Sequence, residues 1–257
     1  MARVWRLIVD PPSHPAWNMA VDQVLLRRYA DASSAPPTLR LYGWKPAALS
    51  LGRGQRLPSN PSIPVVRRAT GGQAVLHDDE RTYAVAGALR RDPFPSGVLH
   101  TYRRIAAALV AGLRKLGIEA DAAEPAARTG RSAPVSCFDV LGAHEIAWGG
   151  RKLVGSAQVR ARAGFLQHGS IPRTLDPERL SAVLGTPVDG ERFTDLSRAL
   201  GRTPSFEEID AALIAGFEEA LGARFEEDGL SPEERELAAQ GQAQTAAEAN
   251  EGSLSVG

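Results

Sequence analysis

One cysteine stands in the whole 257-residue sequence, and only three lysines (Lys45, Lys115 and Lys152) stand among its thirty basic residues. A single thiol excludes an internal disulfide. With no second cysteine and no ligand-spaced histidines, nothing in the sequence argues for zinc or any other metal. Charge of one sign is not in excess, because the thirty basic residues balance thirty acidic ones. There is therefore no global basic field of the kind that nucleic acid requires. Local patches such as Arg67-Arg68 or Arg160-Arg162 remain open to acidic protein partners. Long apolar runs are missing too: nothing approaches the roughly 20 residues that cross a bilayer. The first residues, Met1-Ala2-Arg3-Val4-Trp5-Arg6, lack the apolar stretch of a signal peptide. A cytoplasmic protein with no membrane partner is expected.

Arginine, alanine and proline are abundant, a compositional bias that makes a retained lysine more informative than any arginine. The length suffices to bury a full core without disulfides or metal. Residues 4–9 read as a first strand, and Asn18 to Tyr29 as a helix with Met19, Leu25, Leu26 and Tyr29 on its buried side. Short apolar runs at 38–42, 47–51 and 64–68, each bounded by glycine or proline, read as strands. Val98, Tyr102, Ile105, Leu109, Leu113 and Leu116 keep helical spacing, and Gly117 sits where a C-terminal glycine cap belongs. Residues 120–134 read as a loop that delivers Cys137 to a mouth. Gly149-Gly150 is a two-residue hairpin signal, placing Lys152 near the start of a strand and His168 near the end of the next. Asp176-Pro177 opens a short helix, and Ser205 with Glu208 forms a capping box before another. Residues 1–228 are expected as one catalytic domain. Residues 229–257 are expected as a polar, disordered tail, since almost no large apolar residue remains there.

A thiolate is a strong nucleophile, and a nearby ammonium favours it over the thiol, so Cys137 and Lys152 brought together suit acyl transfer through a thioester. Arginine would supply the charge but not give up a proton. Taken alone, the two residues are better explained as a small buried apolar side chain and a solvated hairpin charge. Gly71-Gly72, in the segment Arg67-Arg68-Ala69-Thr70-Gly71-Gly72-Gln73, would let backbone N–H groups approach a ligand, although an ordinary hairpin turn explains it as well. It is not a phosphate-binding Walker loop, because the Gly-Lys-Ser/Thr ending is missing.

The ordered series Asn18-Met19-Ala20-Val21-Asp22, LRLYGW, ALSLGRGQ, RRATGGQAVLHDDERTYAV, Cys137-Phe138-Asp139, GRKLVGSAQ and LQHGSI resembles the lipoate ligase and octanoyltransferase superfamily, which is related to biotin protein ligases. The resemblance covers about residues 4–220. It implies an α/β (α+β) fold, a mixed sheet flanked by helices. In its cysteine-dependent branch, octanoate passes from acyl carrier protein to a lipoyl-domain lysine, on an acceptor such as the glycine cleavage H protein or a 2-oxoacid dehydrogenase E2 subunit. By that resemblance Cys137 is the acyl-thioester nucleophile and Lys152 activates it. Substrate-binding roles fall on Arg67, Arg68, Thr70, Gly71, Gly72, His77, Gly155, Ser156, Ala157, His168 and Gly169. His77 and His168 either line the acyl tunnel or bond to backbone. No cofactor is implied. The alternatives are an ATP- and magnesium-dependent lipoate ligase with Cys137 incidental, an amidotransferase between lipoyl-bearing proteins, and a non-enzymatic carrier binder. Two departures stand out: Gln73 replaces a third glycine common in ligases, and the stretch Val140 to His144 lacks the proline and aromatic residues expected beside the nucleophile.

Overall fold

The computed structural model describes residues 3–30, 34–57, 61–94, 97–122 and 145–254, with side chains described to 243. Cys137 and its loop lie outside the described residues. The chain runs β1 (Arg3–Val9), α1 (Pro15–Ala30), β2 (Thr38–Tyr42), β3 (Ala48–Leu51), β4 (Val65–Arg67), β5 (Val75–His77), β6 (Glu80–Ala88) and α2 (Val98–Lys115). It continues through β7 (Asp121–Ala122), β8 (Ile146–Trp148), β9 (Arg151–Ala161), β10 (Gly164–Pro172) and α3 (Pro177–Leu184). A 3₁₀ turn at Gly190–Arg192, then α4 (Leu196–Leu200), α5 (Phe206–Leu221), β11 (Ala223–Glu227) and α6 (Pro232–Leu254) complete it.

Eight strands form one mixed sheet in the order β11-β1-β2-β6-β10-β9-β8-β7, and β4-β3-β5 form a second, smaller sheet. β1 is parallel to both β11 and β2, and α1 makes the crossover between β1 and β2. One face of the main sheet buries Trp5, Leu41, Val85 and Phe165 against Ile105 and Leu109 of α2 and Phe217 of α5. The other buries Ile8, Ala84 and Leu166 beneath Met19, Val21 and Leu25 of α1. Covered on both faces, β6 and β10 are buried along their whole length, so their polar residues (Glu80, Arg81 and Thr82; Gln167, His168 and Ser170) are buried with the apolar ones. The turns follow the expected chemistry. Gly149 and Gly150 adopt φ of 57° and 77° between β8 and β9, Asp176 caps α3, and the Ser205–Glu208 capping box is complete at α5.

The segment after 228 departs from the expected tail. Ser231 and Glu234 form a capping box, with Ser231 N donating to Glu234 (2.8 Å) and Glu234 N donating to Ser231 (3.1 Å), and α6 follows from it. Leu230 and Ala238 are buried against α1, and Arg6 grips the Glu234 carboxylate with two bonds of 2.8 and 2.7 Å. Arg28 adds a third at 3.0 Å. Small residues and one buried ion pair hold this helix, so counting large apolar side chains overlooks it. α6 covers a second side of α1, while Asn18 and Asp22 are buried on its other side against Arg40. Among the described residues no helix is long and apolar enough to cross a membrane.

Candidate active site

A narrow cleft opens where α1, β2, the small sheet and the β9–β10 hairpin meet. Met19, Tyr42, Trp44 and Val75 give it apolar walls; Arg68, His77, His168, Glu145 and Lys152 reach it with polar groups. Lys152 is 1% exposed, so its ammonium needs a partner to offset the cost of burial, and Glu145 supplies it. The side chain is held from below: a Cβ on Gly155 would sit 3.2 Å from Lys152 Cε and 3.6 Å from Nζ. Glycine at 155 thus leaves the lane along which the lysine runs. The backbone at 152 is fixed as well, because its carbonyl accepts from Thr194 N at 2.9 Å.

Beneath the cleft lies a buried polar layer. Asp22 accepts from Arg40 (2.9 Å), Tyr42 (3.0 Å) and the His168 ring (2.8 Å). Burial works against its charge, but the His168 hydrogen bond and the Arg40 guanidinium outweigh it, holding the carboxyl below its usual range. The same burial, with Asp22 alongside, pushes the Tyr42 phenol well above 10. Burial also pushes Tyr83 up to about 12, despite its bonds to Gln167 and Ser156. Both tyrosines are therefore neutral hydroxyl groups at physiological pH. His77 is held by Ser50 (2.6 Å) and Glu80 (2.9 Å) and stacks on Trp44 with ring centroids 3.9 Å apart.

Of the residues implicated by sequence, the cleft collects Lys152, Arg68, His77, Gly155, Ser156, Ala157, His168 and Gly169. The others stand back from it. Arg67 donates from one guanidinium nitrogen to the carbonyls of Gly52, Arg53 and Gln55, bracing a loop. Thr70 is buried and meets His168 at 2.8 Å. Gly71 and Gly72 are exposed and do not line the cleft; the Gly71 carbonyl accepts from Arg68 at 2.9 Å. Gln73 meets Gln55 at 2.9 Å, so the residue in place of a third glycine closes the loop from its own side. Both histidines line the cleft and are held by side chains, not by backbone. Sequence reading missed Glu145 and the Asp22–Arg40 pair. A signal existed for the latter, since Asn18 and Asp22 are polar residues one helical turn apart on a helix otherwise rich in apolar ones. Among the described residues no cluster of histidine, cysteine and carboxylates is placed to hold a metal.

A model of the lipoyl protein ligase A/B catalytic domain matches residues 14–218. Octanoyltransferase LipM of Kyrpidia tusciae is 43% identical over 93% of this chain and 94% of its own length. That of an Exiguobacterium species is 38% identical over 86% and 88%. Among solved structures, lipoate-protein ligase A bound with ATP superposes with a TM-score of 0.77 at 26% identity, covering 95% of both chains.

Proposed function

Because this chain belongs to the lipoyl protein ligase A/B catalytic-domain family, we propose that it is the octanoyltransferase of lipoate biosynthesis that works through a Cys137 thioester. In this reading Cys137 attacks the thioester carbonyl of octanoyl-acyl carrier protein, the carrier thiol leaves with a proton, and octanoyl-Cys137 remains. The amine of a lipoyl-domain lysine then attacks that thioester. The Cys137 thiolate leaves, and the amine's proton passes to the Lys152–Glu145 pair. The single observation that carries this is Lys152 itself, buried on an apolar cleft in a chain whose 43% identical relative is an octanoyltransferase. Glu145, eight positions beyond Cys137 in the sequence, already touches Lys152. The intervening chain is long enough to set the thiol at the cleft. The apolar walls suit an eight-carbon chain, and buried Lys152 suits stabilising a thiolate without competition from water.

The ATP-bound ligase among the structural neighbours favours a second reading, in which octanoate or lipoate is first adenylated. An intact mass separates the two. Incubation with octanoyl-carrier protein and no ATP should add one octanoyl group of about 126 Da in a hydroxylamine-labile linkage, absent in Cys137→Ser. A wild-type protein that stays unmodified, yet octanoylates a lipoyl domain once ATP, magnesium and octanoate are added, would make it a ligase.

A further inference from the structure

Arg160 lies on the outer half of β9, and its Nη2 donates to the Thr101 hydroxyl of α2 at 3.4 Å. One residue on, the Tyr102 hydroxyl donates to the Ser156 carbonyl, also at 3.4 Å, so the first turns of α2 lie along β9 where Ser156 lines the cleft. The helix exposes Arg103 and Arg104 to solvent, and Val98 and Leu99, about one helical turn before them, are 50% and 44% exposed. Arg90 joins this face from the end of β6: it is exposed, and the preceding Leu89 N–H donates to Ala163 in the β9–β10 turn at 2.6 Å. Residues 97–104 and 158–164 contain no acidic residue, and Asp92 is paired with Arg3. Among the described residues, none of Arg90, Arg103, Arg104 and Arg160 forms an ion pair. Cations of one sign beside two large apolar side chains left in water repel one another when alone and complement an acidic partner.

Resting on the acyl-transfer reading, we propose that this face docks the acyl donor, a carrier domain that presents acidic side chains around a phosphodiester-linked thioester arm. The choice of donor over acceptor follows from charge. An acceptor brings a lysine ammonium, which a row of guanidinium groups repels; a donor arm brings a phosphodiester, which a guanidinium holds with two parallel bonds. Position agrees with charge. At a rise of about 3.3 Å per residue, Ser156 stands about 13 Å and Arg160 about 26 Å from Lys152 along β9. A thioester set at Lys152 therefore trails its arm past Ser156 and leaves the body of the carrier over α2 and Arg160. Val98 and Leu99 then lose their exposure to water against it, and the attraction of the four cations guides the encounter.

The double variant Arg103→Glu/Arg104→Glu reverses two exposed charges without touching the residues that line the cleft. With octanoyl-carrier protein as donor, its KM should rise about tenfold while kcat stays within about twofold, and added salt should raise KM more in the wild type than in the variant. Octanoyl-pantetheine, which lacks both the carrier and the phosphate, should keep its KM, and so should the lipoyl domain. Arg224→Glu, on the far edge strand β11, should leave all three values unchanged. Calorimetric titration with the carrier protein, which needs no turnover, should show a matching loss of affinity in the double variant alone. Unchanged carrier KM and affinity in that variant overturn the proposal. An equal loss with octanoyl-pantetheine would mean a distorted cleft, and a loss confined to the lipoyl domain would make the face the acceptor's; either ends it. A wild-type protein that binds the carrier with charge-sensitive affinity, yet forms no octanoyl-Cys137 from either donor, defeats the transfer reading and leaves the docking face standing.

Discussion

Glu234 ties the last helix to the first strand, and its removal should be among the costliest single changes away from the cleft. Its side chain is 7% exposed and takes two bonds from Arg6, itself 6% exposed, plus one from Arg28. Burial raises the carboxyl pKa, but Arg6, the Ser231 N–H and Arg28 more than reverse it, so the group is pulled down from 4.5 to about 2. A shift of that size corresponds to about 3 kcal/mol of folded-state preference for the charged form. Glu234→Leu would also leave the Arg6 guanidinium with the Gly229 carbonyl and, as its remaining carboxylate, Asp228, 3.3 Å from its Nε and 70% exposed, and breaking one partner of a buried pair costs about 3–5 kcal/mol. For a chain of this size that translates to a fall in Tm of roughly 6–15 °C by calorimetry. The double variant Arg6→Met/Glu234→Leu should recover most of it, because no unpaired charge is left behind. The sign with pH follows from the depressed carboxyl. The contribution is complete above about 4.5, is lost as pH falls toward 2, and is absent from Glu234→Leu. A Glu234→Leu protein within about 1 °C of wild type, or a double variant no better than the single, would show that the pair does not hold α6 in place.

Lys152 yields a graded series. Lys152→Arg should keep iodoacetamide alkylation of Cys137 near the wild-type rate, and Lys152→Ala should slow it, because guanidinium supplies the charge but does not deprotonate near neutral pH; octanoyl transfer to the lipoyl lysine should fall in both. Wild-type transfer in both would reduce Lys152 to a structural charge. Gly155→Ala would press a methyl to 3.2 Å from Lys152 Cε, and displacing the ammonium by even a fraction of an ångström should lower kcat by about ten- to a hundredfold with the fold kept. A variant with full activity would mean that the lysine does not need its observed lane.

Much of the fold is legible in the chain because its signals are local. Gly149-Gly150, the Asp176 and Ser205 caps and the 3.6-residue spacing from Val98 each specify backbone conformation within a few residues. The helix after 228 carried such a signal too, in Ser231 and Glu234, but its polar composition masked it. What buries α6 is complementarity to Arg6 and Arg28, more than two hundred positions away. An amphipathic count sees none of that.

The cleft divides in the same way. Resemblance singled out Lys152, the histidines and the glycines one by one, yet how they act depends on strand register. β10 pairs with β6 so that His168 lies opposite Ala84, and with β9 so that His168 lies opposite Ala157. A slip of one residue would turn the ring to the other face of the sheet, away from Asp22 on α1 and Thr70 beside the small sheet. Those two partners lie 146 and 98 positions from His168 along the chain. His168 is thus committed on both nitrogens once the sheet closes. The lysine, which looks like an ordinary hairpin charge, is the group that the sheet carries indoors, with Gly155 leaving the space it occupies. Burial and register, neither of which is written in any single segment, set Lys152 beside Glu145 and hold both histidines between polar side chains at the cleft.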